Sequence, residues 1–145
     1  MPSRNRQTAD LLVAAFNTQD TARIISLRTP TCTRNFLPTS LNLAPQSNAR
    51  YLAELDSLNG IFTSFHITVN DIIEDTAQSK IVMFVSAEGQ TAVGEYKNDY
   101  VWKMGFDDEA NIREWVEYVD VGMVRDFFPR LKAEMGRRAA EGSEG

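Results

Sequence analysis

Ala92-Val-Gly-Glu-Tyr-Lys-Asn-Asp-Tyr-Val-Trp-Lys-Met-Gly-Phe106 is the stretch whose reading decides the fold. Tyr96, Tyr100, Trp102, Met104 and Phe106 share one alternating phase, with Asn98 as a lone amide among them. Lys97, Asp99 and Lys103 occupy the other phase and read as a solvated face or dimer surface. A period of two over this length predicts a long strand, apolar on one side. Working outward, residues 80–87 form a nearly continuous apolar run (Ile81 to Val85), which predicts a strand buried on both faces. Residues 62–74 alternate as a strand, with Phe65, Ile67, Val69 and Ile73 in phase. Beyond the turn Asp107–Asn111, residues 112–119 predict a last strand.

The first third of the chain has a helical period instead. Leu11, Leu12, Ala15 and Phe16 mark one helix over residues 7–18. Asp20 caps a short second helix carrying Ile24, Ile25 and Leu27, and Pro30 ends it. Thr31–Pro38 reads as extended. Ser47 or Asn48 caps a third helix with Tyr51, Leu52, Leu55 and Leu58, and Gly60 stops it. A closing helix spans Val121–Leu131, with Pro129 disturbing its end. Helices followed by a strand meander and a closing helix make an α+β order, and long antiparallel strands curl when one face packs on helices. One domain is expected over residues 1–135, with a Gly-, Arg- and Glu-rich tail at 136–145 expected to be disordered.

The chain has 145 residues, 43% hydrophobic and 24% charged, with a net charge of −5. The acidic balance argues against a nucleic-acid partner. No stretch approaches the ~18–20 apolar residues of a membrane span, and no apolar signal core follows the N-terminus, so no membrane role and a cytoplasmic location are expected. One cysteine, Cys32, and one histidine, His66, cannot build a His/Cys zinc site, and no metal or cofactor is expected. Cys32 reads as a small buried hydrophobe.

Several segments in order resemble a known family. They are Arg28-Thr-Pro-Thr-Cys-Thr33 before Leu37-Pro38, Asn48 to Tyr51, Gly94-Glu-Tyr-Lys-Asn-Asp-Tyr100, and Glu117-Tyr-Val-Asp120 before Phe127-Phe128. Together they resemble SnoaL-like proteins of the nuclear-transport-factor-2-like superfamily, and more narrowly fungal isomerases and cyclases of polyketide and meroterpenoid pathways. The resemblance implies a cone-shaped α+β barrel, a proton-shuttling enzyme and a homodimer packed through the outer sheet face. It also implies a catalytic acid near the end of the last strand, which Asp120 approximately matches. The family's Trp stands four residues before that acid; here Trp115 stands five before it and Val116 holds the place.

Enolisation needs a base near the C–H and a donor at the carbonyl oxygen. Three acids are candidates for the base. Asp120 is one, competing with a role as N-cap of the closing helix. Asp71 falls in the phase of Phe65 and Ile67, competing with a strand-end pair to Lys80. Glu117 shares a phase with Trp115 and Val119; whether that phase or the one holding Glu114, Val116 and Tyr118 faces inward is left open. Candidate donors are Tyr51, Asn98 and Arg34, each competing with a packing or surface role. Tyr96, Tyr100, Trp102 and Phe65 are candidates for an aromatic substrate wall, competing with plain core. His66 is a further substrate-contact candidate, although its polar phase favours an exposed or interface position. The leading expectation is an isomerase or cyclase acting on a small organic molecule through an enolate. The rivals are an epoxide hydrolase using an acid–Arg–acid relay, for which Arg34 with two acids is the candidate, and a non-catalytic binding module.

Overall fold

The computed structural model describes residues 1–144, with side-chain surroundings through residue 142. Three helices open the chain: α1 (Arg4–Asn17), α2 (Thr21–Ser26) and α3 (Asn48–Leu58). Each begins at a side-chain cap. Ser3 Oγ accepts from Arg6 N, Asp20 from Arg23 N and Ser47 from Arg50 N, satisfying amides that have no intrahelical partner. Between α2 and α3 lies the short strand β1 (Arg34–Leu37), followed by a single 3-10 turn at Thr39–Leu41. Gly60, at φ +83°, lets the chain leave α3 and enter the sheet.

The meander follows as β2 (Phe62–Asp75), β3 (Lys80–Thr91), β4 (Gly94–Phe106) and β5 (Ile112–Tyr118). The sheet order is β1-β5-β4-β3-β2, antiparallel except for the parallel pair β1–β5. The result is the α+β arrangement of a curved sheet with helices on its inner face. The inner face carries Ile81, Met83, Val85 and Ala87 from β3, then Tyr96, Asn98, Trp102, Met104 and Phe106 from β4. Trp115, Glu117 and Val119 complete it, which answers the open question of phase in the last strand. Trp102 packs on Trp115 at 4.9 Å between ring centroids and on Phe16 of α1 at 5.3 Å. Each such ring contributes about 1.5–3 kcal/mol on burial.

Several features differ from the sequence-based expectations. First, β2 contains a bulge at Asn70: Val69 pairs with Val85, but Asp71 pairs with Phe84. One extra residue inverts the faces of everything after it, so Ile72 turns inward while Asp71 and Ile73 turn out. Second, the run 80–87 is buried on one face only; Phe84 lies on the outer side, 40% exposed. Third, the closing helix is two helices, α4 (Val121–Asp126) and α5 (Phe128–Glu144). Pro129 sits in the first turn of α5, where its missing N–H costs nothing, so it starts the helix instead of ending it. The segment after Gly136, expected to be disordered, is helical through Glu144; Gly145 lies outside the described residues. Arg137 reaches Glu134 and Glu141, and Arg138 reaches Glu134, at the helix-supporting three- and four-residue spacings. Among the described residues no helix is long and apolar enough to cross a membrane.

Candidate active site

The parallel pairing of β1 with β5 sets the site, because it places Arg34 beside Trp115 and Phe36 beside Glu117. The backbones of Arg34 and Gln46 exchange two hydrogen bonds of 2.8 and 2.9 Å, which fixes the loop ahead of α3 against β1. The Glu117 side chain is 2% exposed, and a buried carboxylate must be paired. Arg34 meets it in a fork: Nη2 donates to Oε2 at 2.8 Å and Nε to Oε1 at 3.3 Å. Trp115 Nε1 donates to the same Oε1 at 3.4 Å. The remaining nitrogen of Arg34, Nη1, donates to Glu54 Oε2 at 2.8 Å and to Gln46 Oε1 at 3.0 Å. Arg34 thus bridges two carboxylates. Its guanidinium carbon also lies 4.3 Å from the Tyr51 ring centroid and 4.7 Å from that of Phe36. Burial pulls the Arg34 pKa down, but Glu117, Tyr51 and Glu54 outweigh it and the net shift is upward, so the guanidinium stays charged.

These groups form one wall of a cavity of about 500 Å³ between the inner sheet face, α3 and α5. Its other surfaces are largely apolar, with Phe16, Phe62, Phe65, Leu55, Leu58 and Phe128 prominent. Tyr51, Tyr96 and Tyr100 bring three phenols to it. Burial pushes the hydroxyls of Tyr51 and Tyr96 up to about 12 and that of Tyr100 well above its usual value. At neutral pH all three are proton donors. The Tyr96 and Tyr100 hydroxyls hydrogen-bond each other, and Asn98 Nδ2 donates to Tyr96 Oη at 2.9 Å.

A second arginine stands behind this wall. Arg28 is 6% exposed, donates from Nε to Asn48 Oδ1 at 2.9 Å, and lies 5.2 Å from the Tyr51 ring. Burial lowers its pKa.

Of the candidates read from sequence, Glu117, Arg34, Tyr51, Tyr96, Tyr100 and Phe65 all line this cavity. Asn98 and Trp102 sit on the same face, buried beneath it. Asn98 faces Tyr96, and so supports a cavity hydroxyl where a direct substrate donor was expected. Asp120 is exposed and accepts from Met123 N as the cap of α4; it borders a separate open hollow on the outer face with Phe84, Asp99 and Tyr118. Asp71, turned outward by the bulge, accepts from the amide of its neighbour Ile72. His66 is exposed on the outer face opposite Glu88. None of these three reaches the cavity. Sequence reasoning missed Glu54 and Gln46. Glu54 lies three residues after Tyr51 on the same face of α3, a spacing that marks it as a neighbour.

No family model matches the sequence. Several curated relatives do. "Monooxygenase dmxR10" of a Cryptosporiopsis species is 26% identical over 115 residues, 77% of each chain. "Austinoid biosynthesis clusters protein H" of Penicillium brasilianum is 28% identical over 125 residues, covering 83% of this chain and 78% of the relative. Among solved structures, the BvnE pinacolase of Penicillium brevicompactum superposes with a TM-score of 0.82 at 24% identity, covering 90% and 92% of the two chains. A putative SnoaL-like polyketide cyclase of Shewanella denitrificans superposes at 0.69 with 12% identity, covering 87% and 97%. The chain has the SnoaL-like cone fold. In this SnoaL-like cone the aromatic cavity occupies the hollow between the curved sheet and its helical cover.

Proposed function

We propose that this SnoaL-like protein is an acid–base isomerase or cyclase of fungal secondary metabolism, working on a small organic molecule inside the cavity. The observation that carries the reading is Glu117: a carboxylate shielded from solvent, gripped by Arg34 and facing an aromatic hollow with three protonated phenols. Glu117 takes a proton from a C–H beside a carbonyl, or from an O–H whose loss drives a rearrangement. Tyr51 and Tyr100 donate to the oxygen on which negative charge develops. Asn98 donates to Tyr96, and the Tyr96–Tyr100 hydrogen bond uses one phenolic proton of the pair, which leaves the other for the substrate. Arg34 holds Glu117 in place and spreads its charge. The pinacolase and cyclase names of the structural relatives, and the biosynthetic-cluster name of a sequence relative, support this class of chemistry. The partner expected is a second copy of the chain across the outer sheet face, where Phe84 and Tyr118 are exposed.

The test is turnover of the authentic substrate by Glu117→Gln, which keeps the shape and removes the base. A loss of about 10²–10⁴-fold in kcat with the fold intact is expected. Undiminished turnover would refute the role of Glu117.

A second reading has its own observation. Arg34 bridges Glu117 and Glu54, an acid–Arg–acid arrangement suited to activating water on one side of an epoxide and protonating its oxygen on the other. Reaction in ¹⁸O-labelled water separates the two: an epoxide hydrolase places the label in product, whereas an isomerase or cyclase leaves product oxygen unlabelled.

A further inference from the structure

The charges that line the cavity do not balance. Five are present: Arg34, Glu54 and Glu117 in the ion-paired cluster, and Arg50 and Lys132 elsewhere on the lining. The cluster satisfies itself, since Arg34 contacts both carboxylates. Arg50 and Lys132 have no ion-pair partner among the described residues. They stand on different elements, Arg50 in the first turn of α3 and Lys132 near the start of α5, and both side chains are exposed. Two cations therefore sit where the cavity opens to water, on a chain whose net charge is −5.

Local helix physics would pair Arg50 off. Glu54 is four residues on, the spacing at which a carboxylate meets a cation on a helix surface. Here Glu54 is turned inward instead: its Oε2 accepts from Arg34 and its Oε1 from Gln46 Nε2. The inner cluster strips Arg50 of the partner its helix supplies. Arg50 also stands in the first turn of α3, where the helix dipole disfavours a cation. Lys132 has no acid three or four residues away in either direction; those positions hold Phe128, Pro129, Met135 and Gly136. An unpaired cation at a helix start brings the fold no benefit, whereas an anionic ligand beside it gains from both.

We infer that the cavity mouth is an anion subsite, formed by Arg50 and Lys132, and that the substrate is an organic carboxylate whose apolar body fills the aromatic interior. This rests on the reading of the cavity as a substrate site and adds its ligand class. It also sets polarity along the cavity: carboxylate at the rim, reacting centre inside at Glu117 and Tyr100. An acid anchored at the rim would steer a neutral reacting group inward, because the inner cluster holds two carboxylates that repel a second anion.

The experiment measures binding and needs no turnover, so it is decided separately from the proposed reaction. Isothermal titration of the intact chain at low salt compares 2-naphthoate with 2-naphthamide, matched in shape and differing in charge. The wild type should prefer the carboxylate by roughly tenfold, the scale of two exposed ion pairs. That preference should shrink as salt is raised and fall to about one in the double variant Arg50→Gln/Lys132→Gln, with amide binding unchanged. Both side chains are exposed, and circular dichroism of the double variant checks that it folds. Equal binding of the two probes by the wild type, or no binding of either, overturns the inference. So does a preference that survives in the double variant, which would assign the anion to Arg34.

Discussion

At the scale of single residues, Glu117 and Arg34 depend on each other. Taking a charge out of water costs several kcal/mol, and the cost is recovered only while the partner is present. Glu117→Ala should therefore destabilise the protein by about 3 kcal/mol in urea unfolding, because it leaves Arg34 under-paired. Glu117→Gln should cost less, about 1–2 kcal/mol, because the amide still accepts from Trp115 and Arg34. Equal stability for the two variants would show that the pair carries no structural weight. Glu117 was legible as an acid in the phase of Trp115 and Val119, and Arg34 as a cation in the short segment after the second helix, but their contact was not. They are 83 positions apart, and only the β1–β5 pairing brings them together. Asp120 shows the reverse. Its position before a helix was readable as a cap, and capping is the interaction the structure shows.

At the scale of elements, caps and one bulge decide which acids face inward. Asp120→Ala should lose about 1 kcal/mol of stability as the α4 cap goes, with turnover retained. A drop in kcat of a hundredfold would return Asp120 to the list of candidate bases. The strands, the first three helices and the caps of α2 and α3 were legible because hydrophobic period and cap chemistry are local, whereas the Ser3 cap and the first turn of α1 were missed. The bulge at Asn70 was not, because Asn70-Asp71 reads equally well as two polar positions of a continuous strand, and it reversed the expected facing of Asp71 and Ile73. The split of the closing helix was also missed: a proline can start a helix as readily as stop one, and the choice depends on where the chain turns at Phe127.

At the scale of the whole molecule, the three cavity phenols couple stability to alkaline pH. Their folded-state values lie above the ordinary 10.0, so the native state holds its protons longer than the unfolded chain. This stability is fully present below about pH 10 and is lost as pH rises above it, for Tyr51 and Tyr96 through about 12. For Tyr51 and Tyr96, values of about 12 correspond to roughly 2–3 kcal/mol each. Urea midpoints measured from pH 8 to 12 should fall steeply only above 10, and Tyr96→Phe should flatten that fall. A midpoint independent of pH over this range would contradict the buried-phenol account. The outer sheet face gives a second global expectation. Under the proposed homodimer, Phe84→Asp should shift the protein toward monomer in analytical ultracentrifugation, since Phe84 and Tyr118 leave apolar surface uncovered there. An unchanged mass would place any self-association elsewhere.

The sequence by itself determined the α+β order, the strand that carries the aromatic row, the starts of α2, α3 and α4, and the family the chain resembles. These follow from side-chain periodicity and from short-range hydrogen bonding, both written within a few residues. Tertiary structure alone decided which acid is buried, that Arg34 joins Glu117 to Glu54, and that α5 helps enclose the hollow. Those outcomes depend on sheet curvature, one inserted residue and a parallel pairing between distant segments, and no local pattern encodes how far apart such segments will finally lie.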